Sequence, residues 1–258
     1  MDWVLIGLAG FLGGALNAVA GGGSFITLPV LVFVGLPPVA ANATGTAAFL
    51  PGYIASAWRF RRDIELPAGL NVIGVTLISV AGGCLGAAIL LKTSEQVFAL
   101  LIPWLILLAT AAFVIGPRLL RRKKTSIPQT APQFAAPRSG GVVAGWALFV
   151  VCVYGGYFNG GLGIILLAVL GLLGQTNLHG MNGLKNVISA LLTAVAVMVY
   201  AAGGAIAGGH LLLLGVTAVA GGYAGAAVAY HISQPVLRRF IVAVGCVMAL
   251  AFFFNDVS

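Results

Sequence analysis

Ten apolar segments make up most of this chain, and its charged residues lie almost entirely at segment ends or in loops. Only 7% of the residues are charged, whereas a soluble domain carries roughly a quarter. Segments of this length and polarity predict helices that cross a bilayer, where the backbone must satisfy its own hydrogen bonds. We therefore expect an all-α polytopic membrane protein whose outer surface contacts the lipid bilayer. The segments run over residues 3–20, 22–36, 39–58, 67–91, 97–117, 141–158, 161–174, 181–200, 209–230 and 235–254.

The two halves of the chain repeat each other at a constant shift. Gly21 and Gly22 match Gly160 and Gly161, 139 positions later, and the match continues over the residues that follow. The same shift superimposes VAGG at 80–83 on VAGG at 219–222 without a gap. One shift that holds in two separate blocks indicates an internal duplication, which is typical of transporter folds.

The positions of the basic residues predict how the two copies are oriented. If each copy crosses the membrane an odd number of times, 11 of the 13 lysines and arginines face the cytoplasm, and only Lys92 and Lys185 do not. An even number would leave Arg238 and Arg239 outside, against the positive-inside rule. We therefore predict two inverted repeats of about five membrane segments each, at 1–117 and 141–258. A basic, Pro-rich cytoplasmic linker at 118–140 joins them.

Glycines interrupt equivalent segments near the start of each copy. The motifs VAGGGSF at 19–25 and FNGGLG at 158–163 fall inside stretches too long for one span and too short for two ordinary spans. This pattern predicts eight fuller spans plus two short, Gly-broken ones, and such breaks are a pointer to a transport site. Freed backbone N–H groups at a half-helix N-terminus favour an anion, although the glycines could serve only close packing. The candidate residues here are Asn17, Gly22, Gly23, Ser24, Asn159 and Gly161.

The stretch LHGMNGLKNVIS at 178–189 contains the one charged residue well inside an apolar segment, Lys185. A lysine in hydrocarbon costs at least a few kcal/mol, so it needs a partner, a cavity or a function. On a helix, Asn182, Asn186 and Ser189 fall on the same side as Lys185, and all four side chains can donate hydrogen bonds. We predict that they bind a small anion. The alternative is that Lys185 snorkels to the interface from about 9 Å below His179.

Several classes of protein are disfavoured. The basic residues that give the formal charge of +8 lie mostly at the ends of the spans. The positive-inside rule therefore explains them without nucleic acid as a partner. The three cysteines lack metal-ligand or redox spacing, no hydrolase or nucleotide-binding motif occurs, and we expect neither an enzyme nor a cofactor or metal site. The five acidic residues all lie at segment ends or in loops, which disfavours a cation carrier.

The motifs GGGSFITLPVLVFVGLPPVAANATGT at 21–46 and GGYFNGGLGIILLAVLGLLG…LHGMNGLKN at 155–186 resemble the TauE/SafE family of sulfite exporters. The resemblance covers nearly the whole chain. It implies a multi-pass permease of the bacterial inner membrane that exports sulfite or an organosulfonate. It also makes the polar groups near the breaks candidate ligands: Asn42, Thr44 and Thr46 in the first copy, and Asn182, Lys185 and Asn186 in the second.

Two functions remain open at this point. The first is a secondary carrier or facilitator that exposes one anion site alternately to the two sides of the membrane. The second is an anion channel, or a permease for another small anion such as a carboxylate. The sequence also leaves open whether the protein forms a homo-oligomer.

Overall fold

The computed structural model describes residues 1–67, 69–125, 139–229 and 234–254. These residues form ten helices and no strand, which confirms the predicted all-α class. Eight helices have 19 or more residues, and the two that follow the glycine breaks have 10 and 11. The helices are α1 Asp2–Ala20, α2 Ser24–Phe33, α3 Pro38–Arg59, α4 Val72–Lys92, α5 Glu95–Thr125, α6 Ser139–Tyr157, α7 Leu162–Leu172, α8 Leu178–Ala202, α9 Gly208–Ala229 and α10 Gln234–Phe254.

Four of the described helices are long and apolar enough to cross a bilayer: α1, α4, the first part of α5, and α8. The outer surface of the bundle is apolar as well, with Phe33, Leu212 and Tyr223 between 74% and 86% exposed. Large apolar side chains on the outside of a bundle are favourable only where lipid surrounds it. The protein is therefore a multi-pass membrane protein.

Of the predicted linker at 118–140, residues 126–138 lie outside the described residues. The part before them forms the end of α5, and the part after them begins α6.

The helix boundaries follow from local sequence. Asn71 caps α4 by accepting a 2.7 Å hydrogen bond from the backbone N–H of Gly74. Asn177 caps α8 in the same way, through the N–H groups of His179 and Gly180. Helix α3 begins at Pro38, where the missing N–H has no helical partner to lose. Capping thus positions the start of α8 seven residues before Lys185.

Helices of one half pack against helices of the other. Helix α1 runs parallel to α9: Trp3 stacks on His210 near their starts, and Ala15 contacts Gly225 near their ends. The equivalent pair, α6 and α4, is also parallel, and a Cβ built on Gly82 would lie 2.5 Å from Cβ of Cys152. The glycines of Gly82-x-x-x-Gly86 and Gly221-x-x-x-Gly225 line these two interfaces, where the missing side chains let the helices approach closely.

Helices that occupy equivalent positions in the two halves cross each other at the centre. Helices α3 and α8 are antiparallel. Ala190 packs against the cluster that contains Phe49 and Tyr53, whereas Phe60, further along α3, stacks on His179 near the start of α8. Helices α5 and α10 are antiparallel too, with Trp104 against Phe253 and Thr110 against Gly245. The α3–α8 pair brings the polar segments of both halves into the core of the bundle.

Candidate functional site

The two glycine breaks turn a long helix into a hairpin. Helix α1 ends at Ala20 and is capped by Gly21, whose φ of 76° lies in the left-handed region that glycine adopts without strain. Helix α2 then runs back along α1, since Asn17 lies beside Gly23 and Gly13 lies beside Thr27. In the second half, Gly161 has a φ of 72° and precedes α7, which returns along α6.

The tips of the two hairpins touch each other inside the protein. A Cβ built on Gly21 would lie 2.7 Å from Cα of Gly163, and one built on Gly163 would lie 2.9 Å from Cα of Gly21. No side chain fits between the two backbones at this point. The N-termini of the short helices α2 and α7 therefore come together in the interior.

These two N-termini lack side-chain caps. The N-cap residues are Gly23 and Gly161, and Ser24 at the first position of α2 makes no capping hydrogen bond. Gly22 and Ser24 are both buried. The first N–H groups of a helix carry partial positive charge, so two uncapped N-termini at one place favour negative charge there.

Lys185 lies against this junction. Its side chain is 4% exposed, and its Cδ is 3.4 Å from a Cβ built on Gly163. No hydrogen bond or ion pair to its ammonium is formed within the described part of the chain. A buried ammonium without a partner costs several kcal/mol, and its burial argues against snorkelling to the interface.

The side chains predicted to accompany Lys185 lie along one side of α8. Asn186 is 6% exposed, Ser189 is fully buried, and Asn182 is half-buried. Thr193 continues the same stripe one turn beyond Ser189 and is also fully buried. One side of this stripe faces α3, where Ala190 packs against the cluster that contains Tyr53, and the other faces α7, where Lys185 meets Gly163. The polar stripe thus occupies the wedge in which the two hairpins meet.

Tyr53 connects the two halves in this wedge. Its hydroxyl lies 3.4 Å from Oδ1 of Asn17 and 3.2 Å from Oδ1 of Asn159. One hydroxyl proton can fully satisfy only one of these two acceptors. The amide nitrogen of Asn159 is buried and has no hydrogen-bond partner within the described residues.

The candidates on α3 lie further away from Lys185. Asn42 donates a 3.1 Å hydrogen bond to the carbonyl of Tyr157, and the hydroxyl of Thr44 accepts one of 3.0 Å from the N–H of Ala207. Thr46 is buried and its hydroxyl has no partner in the described chain. Because α3 and α8 are antiparallel, Thr46 and Lys185 are separated by about 18 Å along the helix pair, at 1.5 Å per residue. The structure therefore divides the predicted residues between two ends of one polar core.

The second break is supported by more side chains than the first. Tyr154 donates a 2.7 Å hydrogen bond to the carbonyl of Gly160, and Tyr200 donates one to the carbonyl of Gly156. Asn42 donates to the carbonyl of Tyr157, which lies between Gly156 and Gly160 in the sequence. The residues of the first half that correspond to Tyr154 and Tyr200 are Ala15 and Arg61, so this support is not symmetric.

Sequence reasoning missed Tyr53, Thr27 and Thr193. Thr193 had a detectable signal, since it extends the i, i+4 series of Lys185 and Ser189 by one more turn. Tyr53 had a weaker signal in the sequence, because a tyrosine inside an apolar segment usually has a polar partner for its hydroxyl. Thr27, whose buried hydroxyl has no partner in the described region, had none.

Two shallow grooves on the outer surface contain none of the candidate residues. The first is lined by Ile78, Val142, Trp146 and neighbouring residues, and the second includes Ile89 and Val97. Both are almost entirely apolar in their lining and open outward. Lys185, Asn186 and Ser189 lie instead in the buried wedge between α3, α7 and α8.

Comparison with known proteins agrees with a membrane transporter. The family model described as sulfite exporter TauE/SafE matches residues 6–252. A "Probable membrane transporter protein" of Haemophilus influenzae is 32% identical over 111 residues, which is 43% of this chain and 43% of that protein. A "Probable membrane transporter protein ORF9" of Sinorhizobium sp is 27% identical over 114 residues, 43% of this chain and 42% of that protein. The matched region thus spans less than half of either relative, and no solved structure matches the chain.

Proposed function

This chain belongs to the TauE/SafE family of sulfite exporters, and from that premise we propose that it is a secondary carrier for a small oxyanion in the bacterial inner membrane. Sulfite or an organosulfonate is the substrate we favour, and export is the direction we favour. The site is the wedge where Lys185 meets the junction of the two broken helices.

The observation that carries this proposal is the unpartnered Lys185, which packs on the uncapped N-terminus of α7 where that helix meets the tip of the first hairpin. Removal of a single charge from water costs several kcal/mol. The uncapped N-terminus of α7, against which Lys185 packs, adds to that cost, because its partial charge has the same sign as the ammonium. An anion bound between the ammonium and the helix N-terminus would be attracted to both positive charges and would offset these costs. Each hydrogen bond to the bound charge would then contribute about 1.5–3 kcal/mol.

Neutral donors complete the site. The side chains of Asn186 and Ser189 lie beside Lys185 on α8, and the amide nitrogen of Asn159, at the second break, is buried and has no hydrogen-bond partner in the described chain. The buried polar and charged side chains within the described residues include no carboxylate. A wedge with one cation, several donors and no carboxylate favours an anion over a metal ion or a proton-carrying cation.

Alternating access requires the two halves to move about a shared site. We propose that they are inverted repeats, with α3 and α8 as equivalent helices that cross the core in opposite directions. The antiparallel contacts of α3 with α8 and of α5 with α10 support an approximate two-fold axis perpendicular to the helices. For repeats related by an axis along the helices, equivalent helices would be parallel.

The inverted arrangement predicts the same side of the membrane for two distant arginines. Arg62→Cys, just after α3, and Arg238→Cys, near the start of α10, should both react with a membrane-impermeant maleimide only from the cytoplasmic side. The measurement is labelling in intact cells against inside-out vesicles, on a background in which Cys84, Cys152 and Cys246 have been replaced. Labelling of the two positions from opposite sides would contradict the inversion.

Transport itself is tested by counterflow of labelled sulfite into proteoliposomes loaded with unlabelled sulfite. We expect uptake that saturates with substrate and overshoots equilibrium, because a carrier couples the movement of one ion to the return of another. Uptake without an overshoot would identify a channel instead. Absence of uptake by folded protein, across sulfite, sulfonates and carboxylates, would contradict the proposed function.

A further inference from the structure

Two hydroxyls on the polar stripe of α8 have no hydrogen-bond partner in the described chain. The Oγ of Ser189 and the Oγ1 of Thr193 are both fully buried and unpaired. A buried hydroxyl without a partner destabilises the folded protein, because it has lost its hydrogen bonds to water and gained none in return. Both groups are therefore available to a ligand.

Some serines and threonines in the same bundle behave differently, whereas Thr27, Thr46 and Thr110 are also buried and unpaired within the described residues. Ser79 donates to the carbonyl of Val75, Thr93 to that of Ile89, and Thr217 to that of Leu213, each one turn back along its own helix. This local bond is the usual way in which a helical hydroxyl is satisfied away from water. Ser189 and Thr193 could make the same bond to the preceding turn of α8, but they do not.

The stripe is longer than a single oxyanion. Lys185, Ser189 and Thr193 are spaced by four residues, so they lie within about 80° of one another around the helix. Along the helix axis, Ser189 is about 6 Å and Thr193 about 12 Å from Lys185. A lone inorganic oxyanion held at the ammonium can reach Ser189 but not the hydroxyl two turns away.

We propose that Ser189 and Thr193 form a subsite for the tail of an organic anion whose sulfonate head binds at Lys185. The inference rests on the proposed function and specifies its substrate class: a sulfonate with a short, uncharged, hydrogen-bonding tail such as a hydroxyalkyl chain. A cationic tail is disfavoured, because the buried polar residues in the described part of the chain provide no carboxylate to neutralise it. Plain alkyl tails are disfavoured because they leave both hydroxyls unpaired.

The test is inhibition of methanesulfonate counterflow in proteoliposomes by competitors of matched size. We expect 3-hydroxypropanesulfonate to compete about 5-fold better than butanesulfonate, which is the ratio that one ordinary hydrogen bond supplies. We also expect 2-hydroxyethanesulfonate to compete better than 2-aminoethanesulfonate. Equal competition by the hydroxylated and plain sulfonates would overturn the subsite.

Two variants assign the preference to α8. Thr193→Val keeps the shape of the side chain but removes its hydroxyl, and it should bring the ratio between the hydroxylated and plain alkyl competitors close to 1. Ser189→Ala should lower the preference as well, and it provides a second measurement should Thr193→Val fold poorly. Thr217→Val is the matched control, because its hydroxyl bonds to its own helix, and it should retain the full preference.

The outcomes separate this inference from the function on which it rests. Transport of methanesulfonate with no preference for a hydroxyl tail, or with a preference that survives both α8 variants, overturns the subsite alone. Failure to transport sulfite and every sulfonate overturns the subsite together with the proposed function.

Discussion

Lys185→Gln is expected to abolish saturable anion transport and to raise the thermal stability of the unliganded protein. Glutamine retains a hydrogen-bond donor at this position but removes the charge. At a separation of about 4 Å and an effective dielectric constant near 20, a pair of unit charges is worth about 4 kcal/mol. Loss of that term corresponds to a decrease in affinity on the order of 1,000-fold.

The stability of the same variant should change in the opposite direction. Lys185 is 4% exposed and has no hydrogen-bond or ionic partner among the described residues. Removal of an unpaired buried charge is therefore expected to stabilise the empty protein by about 1 kcal/mol or more. Bound substrate should stabilise the wild type further but leave the variant unchanged, since only a protein that binds the ligand gains from its presence.

Thermal unfolding with and without sulfite, followed by counterflow, measures both effects. Lys92→Gln is the matched control, because Lys92 is an exposed lysine at the end of α4 and its replacement should change neither quantity. Sulfite affinity within a few-fold of the wild type would rule out Lys185 as the main cationic anchor. A Lys185→Gln protein less stable than the wild type would indicate that the lysine serves the fold.

Gly21→Ala is expected to destabilise the protein by about 2–5 kcal/mol and to abolish transport. A φ of 76° costs a residue with a Cβ about 1–2 kcal/mol. The added methyl would also lie 2.7 Å from Cα of Gly163, and overpacking of this kind costs about 1–3 kcal/mol. Neither backbone can give way easily, so the tips of the two hairpins must separate.

Gly35→Ala is the control that introduces backbone strain without a steric clash. Gly35 has a φ of 95°, but a Cβ at this position would meet nothing within 4 Å. We expect it to lose about 1–2 kcal/mol from backbone strain and to retain transport. Thermal unfolding and counterflow of the two variants, measured side by side, give the contribution of the hairpin junction. Equal effects of the two substitutions would contradict a special role for the junction.

Much of the fold could be read from the sequence because it depends on local properties. All ten predicted segments correspond to helices, and the breaks at Gly21 and Gly161 fall where the glycine motifs indicated. Apolar runs of this length become helices because a bilayer leaves the backbone no other means of satisfying its hydrogen bonds. The duplication was equally visible, since the shift between the halves needs no three-dimensional information.

The composition of the site was predicted only in part. Helical periodicity placed Asn186 and Ser189 beside Lys185, and all three are buried. The separation of Thr46 from Lys185 could not be predicted, because equivalent positions in two repeats need not be neighbours in space. Tyr53 escaped prediction for the same reason, as its partners Asn17 and Asn159 lie in different halves.

The sequence by itself determined the helices, their glycine breaks, the repeat and the position of one buried cation, because each of these depends on residues close together in the chain. The tertiary structure decided that α1 packs on α9, that α6 packs on α4, and that the two hairpin tips meet beside Lys185. These contacts join residues that are distant in the sequence, such as Ala15 with Gly225 and Gly82 with Cys152. They depend on which small residues let two backbones approach, and that becomes evident only when both helices are in place.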